Sequence, residues 1–328
     1  MRIHRGFLGW GIFLVLTGSI PLAVRAGYLS SDQLRNVGSL WPLILVGIGV
    51  GLVLSRTRVA FLGGFIVAAT FGVMIGGLLA GGVTGFTTGA CGPETGTSAF
   101  PARDGAFDSS TASVELTLNC GNATVTVATG SAWRVEGEDE AGVGPNVEST
   151  SSSLSVRSQS GNGGQFDFFG KRESWRISLP DTMQLEAHLT LNAGSSTVNL
   201  AGANLSNFEA TLNAGSATID LGSVHQIGEV QIGLNAGSLD LTLPSLSMTG
   251  SIEANAGSVQ LCAPPSAGLR LQTNESIVAS YDFEDHGLIK SGSIWETPGY
   301  DAAVVKIELH AQANAGSFSL DPEGGCGG

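Results

Sequence analysis

The sequence has few of the side chains on which catalysis and nucleic-acid binding depend. Only 13% of the residues are charged, and the five histidines are scattered, with no pair at a spacing that would hold a metal ion. No P-loop, nucleophile elbow or HExxH motif is present. We therefore predict a protein that is not an enzyme and that has no catalytic residue, cofactor or bound metal.

Basic residues are scarce after the first 90 positions. Residues 91–328 hold nine Lys and Arg against 27 acids, a net charge of −18, whereas residues 1–90 hold six Arg, no Lys and one acid, a net charge of +5. An acidic surface without a basic stripe repels phosphate. This excludes a nucleic-acid partner and is typical of a soluble, exposed domain.

Charge is absent from three long apolar stretches within residues 1–90, at about 6–24, 38–54 and 59–83. Each is close to the length that crosses the hydrocarbon core of a bilayer. We predict three membrane-spanning helices, and glycines spaced by four, such as Gly47 and Gly51, would let these helices pack closely in a homo-oligomer.

The arginines of this region indicate its orientation. Positive residues concentrate on the cytoplasmic side of membrane proteins. We predict a cytoplasmic N-terminus and an extracytoplasmic C-terminal domain. The four arginines that favour this orientation are Arg2, Arg5, Arg56 and Arg58. Arg25 and Arg35, in the first loop, oppose it weakly.

All four cysteines lie in the half that we place outside the cytoplasm. An even number in an oxidising compartment indicates disulfides, and three pairings are open. We favour the two pairs that tie each end of the chain to the body of the domain, Cys91–Cys120 and Cys262–Cys326.

One tetrapeptide, NAGS, recurs through the second half of the chain. Successive copies start 21, 22 and 20 residues apart, and the fifth follows after 59 residues, close to three further periods. A looser copy, NCGN, stands at 119–122. A fixed period of this length indicates stacked supersecondary units. The five copies are Asn192–Ser195, Asn213–Ser216, Asn235–Ser238, Asn255–Ser258 and Asn314–Ser317.

The residues around each copy alternate between apolar and polar. Counting from the Asn, positions −3, −1 and +6 are aliphatic in every copy, +8 is aliphatic in four, and polar residues stand between them. Period-two alternation on both sides of a turn indicates half-buried strands. We predict an all-β external domain, a single-stranded β-solenoid or stacked β-sheet of six or more coils, preceded by the α-helical membrane region. The predicted divisions are 1–90 for the membrane region, 91–110 for a linker, 111–323 for the solenoid and 324–328 for a Gly-rich tail.

The NAGS tetrapeptide has a structural and a functional interpretation. Gly allows a positive φ and Asn tolerates the left-handed region, so the motif suits the corner of a coil. Stacked Asn side chains could also hydrogen-bond along the axis as a ladder. In the alternative, Asn and Ser form a row of ligand contacts. The corner residues are Asn192, Gly194, Asn213, Gly215, Asn235, Gly237, Asn255, Gly257, Asn314 and Gly316.

Two less regular segments are candidates for contacts or chemistry. Phe168, Phe169, Lys171 and Arg172 stand at a loop tip and could contact a partner, or pack onto the first coil instead. In YDFEDHGL, at 281–288, strand alternation would place Asp282, Glu284 and His286 on one face. That face could hold a metal or an acid–base pair, but an exposed polar strand explains it as well.

Two resemblances follow from these motifs. LWPLILVGIGVGLVL at 40–54, after a first apolar stretch, resembles the membrane region of LiaF-type envelope-stress proteins over about residues 1–85. WRISLP at 175–180, the repeated LNAGS turns and the closing segment 287–320 are similar to the adhesin-like β-solenoid domains of the DUF4097 type. This second resemblance covers about residues 110–320 and implies a non-enzymatic bacterial surface module; LiaF-type proteins restrain a membrane sensor kinase.

Three hypotheses of function follow. The first is a membrane-anchored regulator whose β-domain senses envelope stress and whose spans contact a sensor kinase. The second is a surface adhesin or scaffold that binds glycans or envelope proteins. The third, an enzyme that acts on wall polymers through Asp282, Glu284 or His286, has no supporting constellation of residues.

Overall fold

A computed structural model of the chain divides into two compact units, 1–89 and 90–328. The structure describes residues 96–159, 172–274 and 279–321, together with Val15, Ala69, Thr70, Cys91 and Ser276. The predicted membrane spans therefore lie outside the described residues, except for Val15, Ala69 and Thr70. The segment LWPLILVGIGVGLVL at 40–54 and the Gly-rich tail lie wholly outside them. Within the described part, no helix has the length and apolar composition that crossing a membrane requires.

In its described residues, the second unit consists of strands and a 3₁₀ turn at Tyr300–Ala302. The first strands are β1 (Ser98–Ala99), β2 (Arg103–Ala106), β3 (Thr111–Leu118), β4 (Gly121–Ala128), β5 (Ala132–Asp139), β6 (Asn146–Ser149), β7 (Ser153–Arg157), β8 (Glu173–Pro180), β9 (Gln184–Leu191) and β10 (Gly194–Asn199). They continue as β11 (Asn204–Leu212), β12 (Gly215–Asp220), β13 (Glu229–Thr242), β14 (Met248–Cys262), β15 (Gly268–Thr273), β16 (Ser280–Tyr281), β17 (Ile289–Ser291), β18 (Ile294–Glu296), β19 (Lys306–Ala313) and β20 (Ser317–Leu320).

The strands form a stack of parallel coils, in agreement with the predicted all-β domain of stacked strands. In each coil one strand runs into the NAGS corner and one runs out of it, and both pair in parallel with the equivalent strands of the next coil. We call these the first sheet, before the corner, and the second sheet, after it. β13 and β14 pass through the corner without a break, so that the two sheets are one curled sheet. The coils stack in the order β7/β8, β3/β4, β9/β10, β11/β12, β13, β14, β19/β20 and β15/β16.

The order of the coils departs from chain order at both ends. The fifth NAGS copy stacks directly on the fourth, so the 59-residue interval does not contain three regular coils as its length suggested. The interval instead supplies the outermost coil, β15/β16, and an antiparallel cap, β17 and β18. At the other end, β5 and β6 add antiparallel strands beyond β8 and β7. These caps cover the open edges that would otherwise pair with other chains.

Aliphatic side chains from both sheets fill the interior of the stack. The side chains at −1 are fully buried in all six copies, from Leu118 to Ala313, and those at −3 and +6 are at most 5% exposed. This confirms the burial predicted from the alternation. Because each coil buries its apolar side chains between two neighbours, a single coil would not be stable alone.

A buried serine interrupts this apolar interior. Ser196 is 3% exposed and its hydroxyl has no hydrogen-bond partner in the described structure. It stacks between Ala123 and Ala217, so alanine fits the site. We expect Ser196→Ala to raise the free energy of unfolding by about 1 kcal/mol, because an unpaired buried hydroxyl costs about that much. Chemical denaturation would measure it, and a destabilised variant would show that the hydroxyl finds a partner.

The segment 91–110, which we expected to be a linker, contributes to the domain. β1 and β2 pair with β5, and Phe100 and Phe107 are buried. Cys91 forms a disulfide with Cys120, one of the two predicted pairs. Cys262 is also disulfide-bonded, and Cys326, its predicted partner, lies outside the described residues.

Candidate functional surface

The six asparagines of the corners form a continuous hydrogen-bonded ladder. Asn192 donates from Nδ2 to Oδ1 of Asn119 at 2.8 Å, and the same bond recurs at every later corner, at 2.6, 2.7, 2.8 and 2.5 Å. Each interior amide therefore uses both a donor and an acceptor within the ladder. This is the ladder that the stacking predicts, and it explains the recurrent Asn without a ligand. In stack order its members are Asn119, Asn192, Asn213, Asn235, Asn255 and Asn314.

The glycines of the corners lie against the backbone of the preceding coil. A Cβ on Gly194, Gly215 or Gly237 would stand 1.7–2.2 Å from the carbonyl oxygen of the corner glycine before it. Each of these three also has a positive φ, between 124° and 154°. At Gly257 and Gly316 φ is not in this region, but a Cβ would still lie within 2.6 Å of that oxygen. The corner thus requires glycine for space in each of the five NAGS copies.

The outward side of the second sheet carries columns of short polar side chains, and we call it the hydroxyl face. Its first column is one position beyond the corner glycines, and its second column is two residues further along the strands. Most members are half-buried or exposed Ser and Thr. In stack order the first column is Ser174, Asn122, Ser195, Ser216, Ser238, Ser258, Ser317 and Ser280, and the second is Arg176, Thr124, Thr197, Thr218, Asp240, Gln260 and Ser319.

Most hydroxyls of this face are free to bind other molecules. Ser195 donates to the amide oxygen of Asn122 at 2.8 Å. Within the described structure, the hydroxyls of Ser216, Thr197 and Thr218 make no hydrogen bond to the protein. The face also carries few charges: its two columns hold one acid, Asp240, and one base at the outermost coil, and Asp220 lies two residues beyond the second column.

The first sheet presents a different, acidic exterior. Its outward positions include six glutamates, and only a few cations offset them. Arg157 pairs with Glu115 at 2.7 Å, and His188 lies between Glu186 and Glu209, at 3.4 and 3.0 Å. The two exteriors of the stack therefore differ in charge as well as in residue type. The six glutamates are Glu115, Glu186, Glu209, Glu229, Glu253 and Glu308.

A pair of buried carboxylates lies at the end of the stack that begins with β7/β8. Glu173 and Asp139 face each other across β8 and β5 and are 5% and 7% exposed. Asp139 accepts the backbone N–H groups of Ala141, Val143 and Gly144 at 2.9, 3.1 and 2.7 Å. Burial raises the pKa of Glu173, the hydrogen bond from the Ser158 hydroxyl opposes this, and the charge of Asp139 raises it further. Both carboxyl groups therefore accept hydrogen bonds from the protein itself.

The raised pKa of Glu173 predicts how stability depends on pH. Because the folded-state pKa lies above that of the unfolded chain, the contribution of Glu173 is fully present below the unfolded value and is lost as pH rises through the folded value. We expect Glu173→Gln, which keeps an oxygen for Ser158, to remove this loss. Urea unfolding of both proteins from about pH 4 to about pH 8 tests it. Parallel curves for the two proteins would contradict the assignment.

The described residues include only part of the other two candidate segments. Phe168, Phe169 and Lys171 lie outside the described residues, so the predicted partner contact stays a prediction; Arg172 is half-buried immediately before β8. The segment 282–288 is a turn and not the strand that alternation suggested.

The turn residues have ordinary roles. Asp282 accepts the backbone N–H of Leu320 at 3.0 Å, Phe283 is fully buried, and Glu284 and His286 are exposed. Within the described ranges, no three His, Cys, Asp or Glu side chains are grouped to hold a metal ion. The turn therefore fixes β20 and offers no acid–base geometry.

Two features of the surface were not found from the sequence. The threonines at +5 were visible in the repeat, but we counted them only as the polar half of the alternation. The serines at +3 entered only the alternative interpretation of NAGS as a row of ligand contacts. The Glu173–Asp139 pair joins strands 34 positions apart in the chain and has no local sequence signal.

The chain is similar to known proteins in its β-domain. Residues 95–242 match the family model of the N-terminal domain of toast_rack, DUF2154. A cell adhesion protein from Clostridium sporogenes ATCC 15579, described as putative, has 16% identity and a TM-score of 0.44, with 67% of this chain and 98% of that chain covered. An adhesin from Bacteroides fragilis NCTC 9343, also described as putative, has 11% identity and a TM-score of 0.25, with 70% and 98% covered. No curated protein matches the sequence significantly.

The family match refines the resemblance drawn from the motifs. The β-domain is toast-rack-like, and the matched family is DUF2154, where the motifs suggested the DUF4097 type. The match begins at residue 95, within the segment that we expected to be a linker. It indicates no enzymatic family.

Proposed function

We propose that this chain is a membrane-anchored, non-enzymatic module of the bacterial cell surface that senses envelope stress. In this proposal the three apolar stretches of residues 1–90 cross the membrane, the N-terminus is cytoplasmic and the toast-rack-like domain is outside. The observation that carries it is the Cys91–Cys120 disulfide, which follows the third apolar stretch by only eight residues. A disulfide at this point favours an oxidising compartment for all that follows.

The regulatory part of the proposal concerns a membrane sensor kinase. Glycine-spaced helices in residues 1–90 would contact the kinase within the bilayer and restrain it. The external domain would report on the envelope, and its acidity keeps it soluble and away from anionic polymers.

Deleting the gene in a strain that carries an envelope-stress transcriptional reporter tests the proposal. We expect higher basal output after deletion, restored to normal by the full chain, because the restraint on the kinase is lost. Reporter output that is the same with and without the gene, both in resting cells and under a cell-wall antibiotic, would contradict it.

A second candidate function is a surface adhesin. The sparsely charged hydroxyl face favours it, since that face leaves hydroxyls unused by the protein across several coils. Both functions place the domain at the cell surface, and they differ in whether the essential contact is made in the membrane or outside it.

A further inference from the structure

The charge of the hydroxyl face limits what could bind there. Between the outermost coils the two columns carry no basic side chain and a single acid, Asp240. The next outward column adds Asp220, which accepts the backbone N–H of Gly222 at 2.8 Å. An anionic polymer therefore finds no cation on these columns, and a cationic polymer finds only two acids. The two columns also contain no aromatic and no large aliphatic side chain, so an apolar helix or a lipid tail would gain little.

The remaining chemistry is that of a neutral, hydroxyl-rich ligand. Ser and Thr hydroxyls both donate and accept hydrogen bonds, as sugar hydroxyls do. Their columns repeat at the spacing of neighbouring strands, about 4.8 Å, and the two columns lie about 7 Å apart along the strands. A ligand that runs along the stack would therefore meet equivalent groups at each coil.

We propose that the hydroxyl face binds an extended, neutral polysaccharide strand that lies along the axis of the stack. The inference rests on the proposed location at the cell surface and gives the external domain a ligand class. Each contact is a weak neutral hydrogen bond, so affinity comes from repetition over consecutive coils. Short oligosaccharides would accordingly bind much more weakly than long chains.

Sedimentation of the full chain with insoluble chitin, a neutral polysaccharide, tests the proposal. The protein is solubilised in a detergent without a sugar headgroup, because glycoside detergents would compete for the same hydroxyls. Alginate, an anionic polysaccharide, serves as the charged comparison. We expect saturable retention on chitin and none on alginate.

The decisive variant removes hydroxyls without changing shape. Thr197→Val with Thr218→Val replaces two adjacent hydroxyls of the face by methyl groups, and Val is favourable in strands. The matched control, Thr190→Val with Thr211→Val, makes the same change at two adjacent threonines on the outside of the first sheet. We expect about a tenfold loss of chitin affinity in the first variant and less than about a twofold change in the second.

Each other outcome overturns the inference. No retention of the unchanged protein, equal retention on alginate, or equal losses in the two double variants would all do so, provided that melting temperatures show both variants folded. The proposed function fails separately, if the stress reporter does not respond to deletion. If the chain controls the reporter but does not bind chitin, the proposed function stands and the polysaccharide proposal is wrong.

Discussion

Gly215→Val is expected to destabilise the β-domain by about 3–5 kcal/mol, the largest effect that we predict for a single substitution. A Cβ on Gly215 would lie 2.2 Å from the carbonyl oxygen of Gly194, and 3.1 Å from its backbone nitrogen. Its φ of 154° is also unfavourable for a β-branched residue. The neighbouring coil cannot move away, because Gly194 itself lies against Gly121 and Gly237 lies against Gly215. Thermal or urea unfolding of the purified chain would measure the loss.

Gly233→Val is the matched control for this substitution. Gly233 lies in β13 on the outside of the first sheet, and a Cβ there would meet nothing within 4 Å. Its backbone is ordinary strand, so valine should be neutral or slightly stabilising. If Gly215→Val were as stable as Gly233→Val but lost chitin retention, the corner would be a binding site and the structural account of NAGS would be wrong.

The repeated core of the domain was predictable because its cause is local. Alternation around each Asn determines which side chains face the interior, and a period near 21 residues determines that equivalent strands stack. The same register predicts the Asn ladder, since identical side chains at one level of each coil must meet.

The ends of the stack were not predictable in the same way. The interval between Asn255 and Asn314 fits three periods by length, yet the chain uses it to add an outer coil and a cap before returning to fill the position beside β14. Which coil lies next to which depends on long-range pairing that leaves no periodic signal. The other end of the stack was equally unpredictable. The coil β7/β8, which contains Glu173, follows β3/β4 in the chain but lies on its outer side in the stack.

The candidate surface, like the fold, was predictable only in its local features. Each threonine of the hydroxyl face is unremarkable as the polar residue of a strand, and only the register of several coils reveals a face with few charges. The acidic character of the opposite exterior likewise comes from single glutamates in separate coils, such as Glu209 and Glu253. The sequence shows which residue types point outward, whereas the difference in charge between the two faces becomes visible only from the observed strand pairing.

The Cys91–Cys120 disulfide is the second feature with a large expected effect. It spans 29 residues, and the loop-closure entropy that it removes from the unfolded chain corresponds to about 3–4 kcal/mol of stability. Both cysteines are buried against Ala193, which follows the second asparagine of the ladder, whereas Cys120 follows the first. We expect Cys91→Ala with Cys120→Ala to lower the free energy of unfolding by about this amount, as measured by urea denaturation.

The sequence itself supplies the control for this double variant. Alanine at position 120 is the residue that the NAGS copies carry there, as at Ala193 and Ala214, so the corner can hold it without strain. The loss should therefore come from the missing cross-link, and adding a reductant should lower the stability of the unchanged protein more than that of the variant. Equal sensitivity to reductant would contradict this, because it would mean that the Cys91–Cys120 bond adds nothing. Since the bond joins the residues just after the third apolar stretch to the first coil, its loss should also release β1 and β2 first, as faster amide exchange at Phe100 and Phe107 would show.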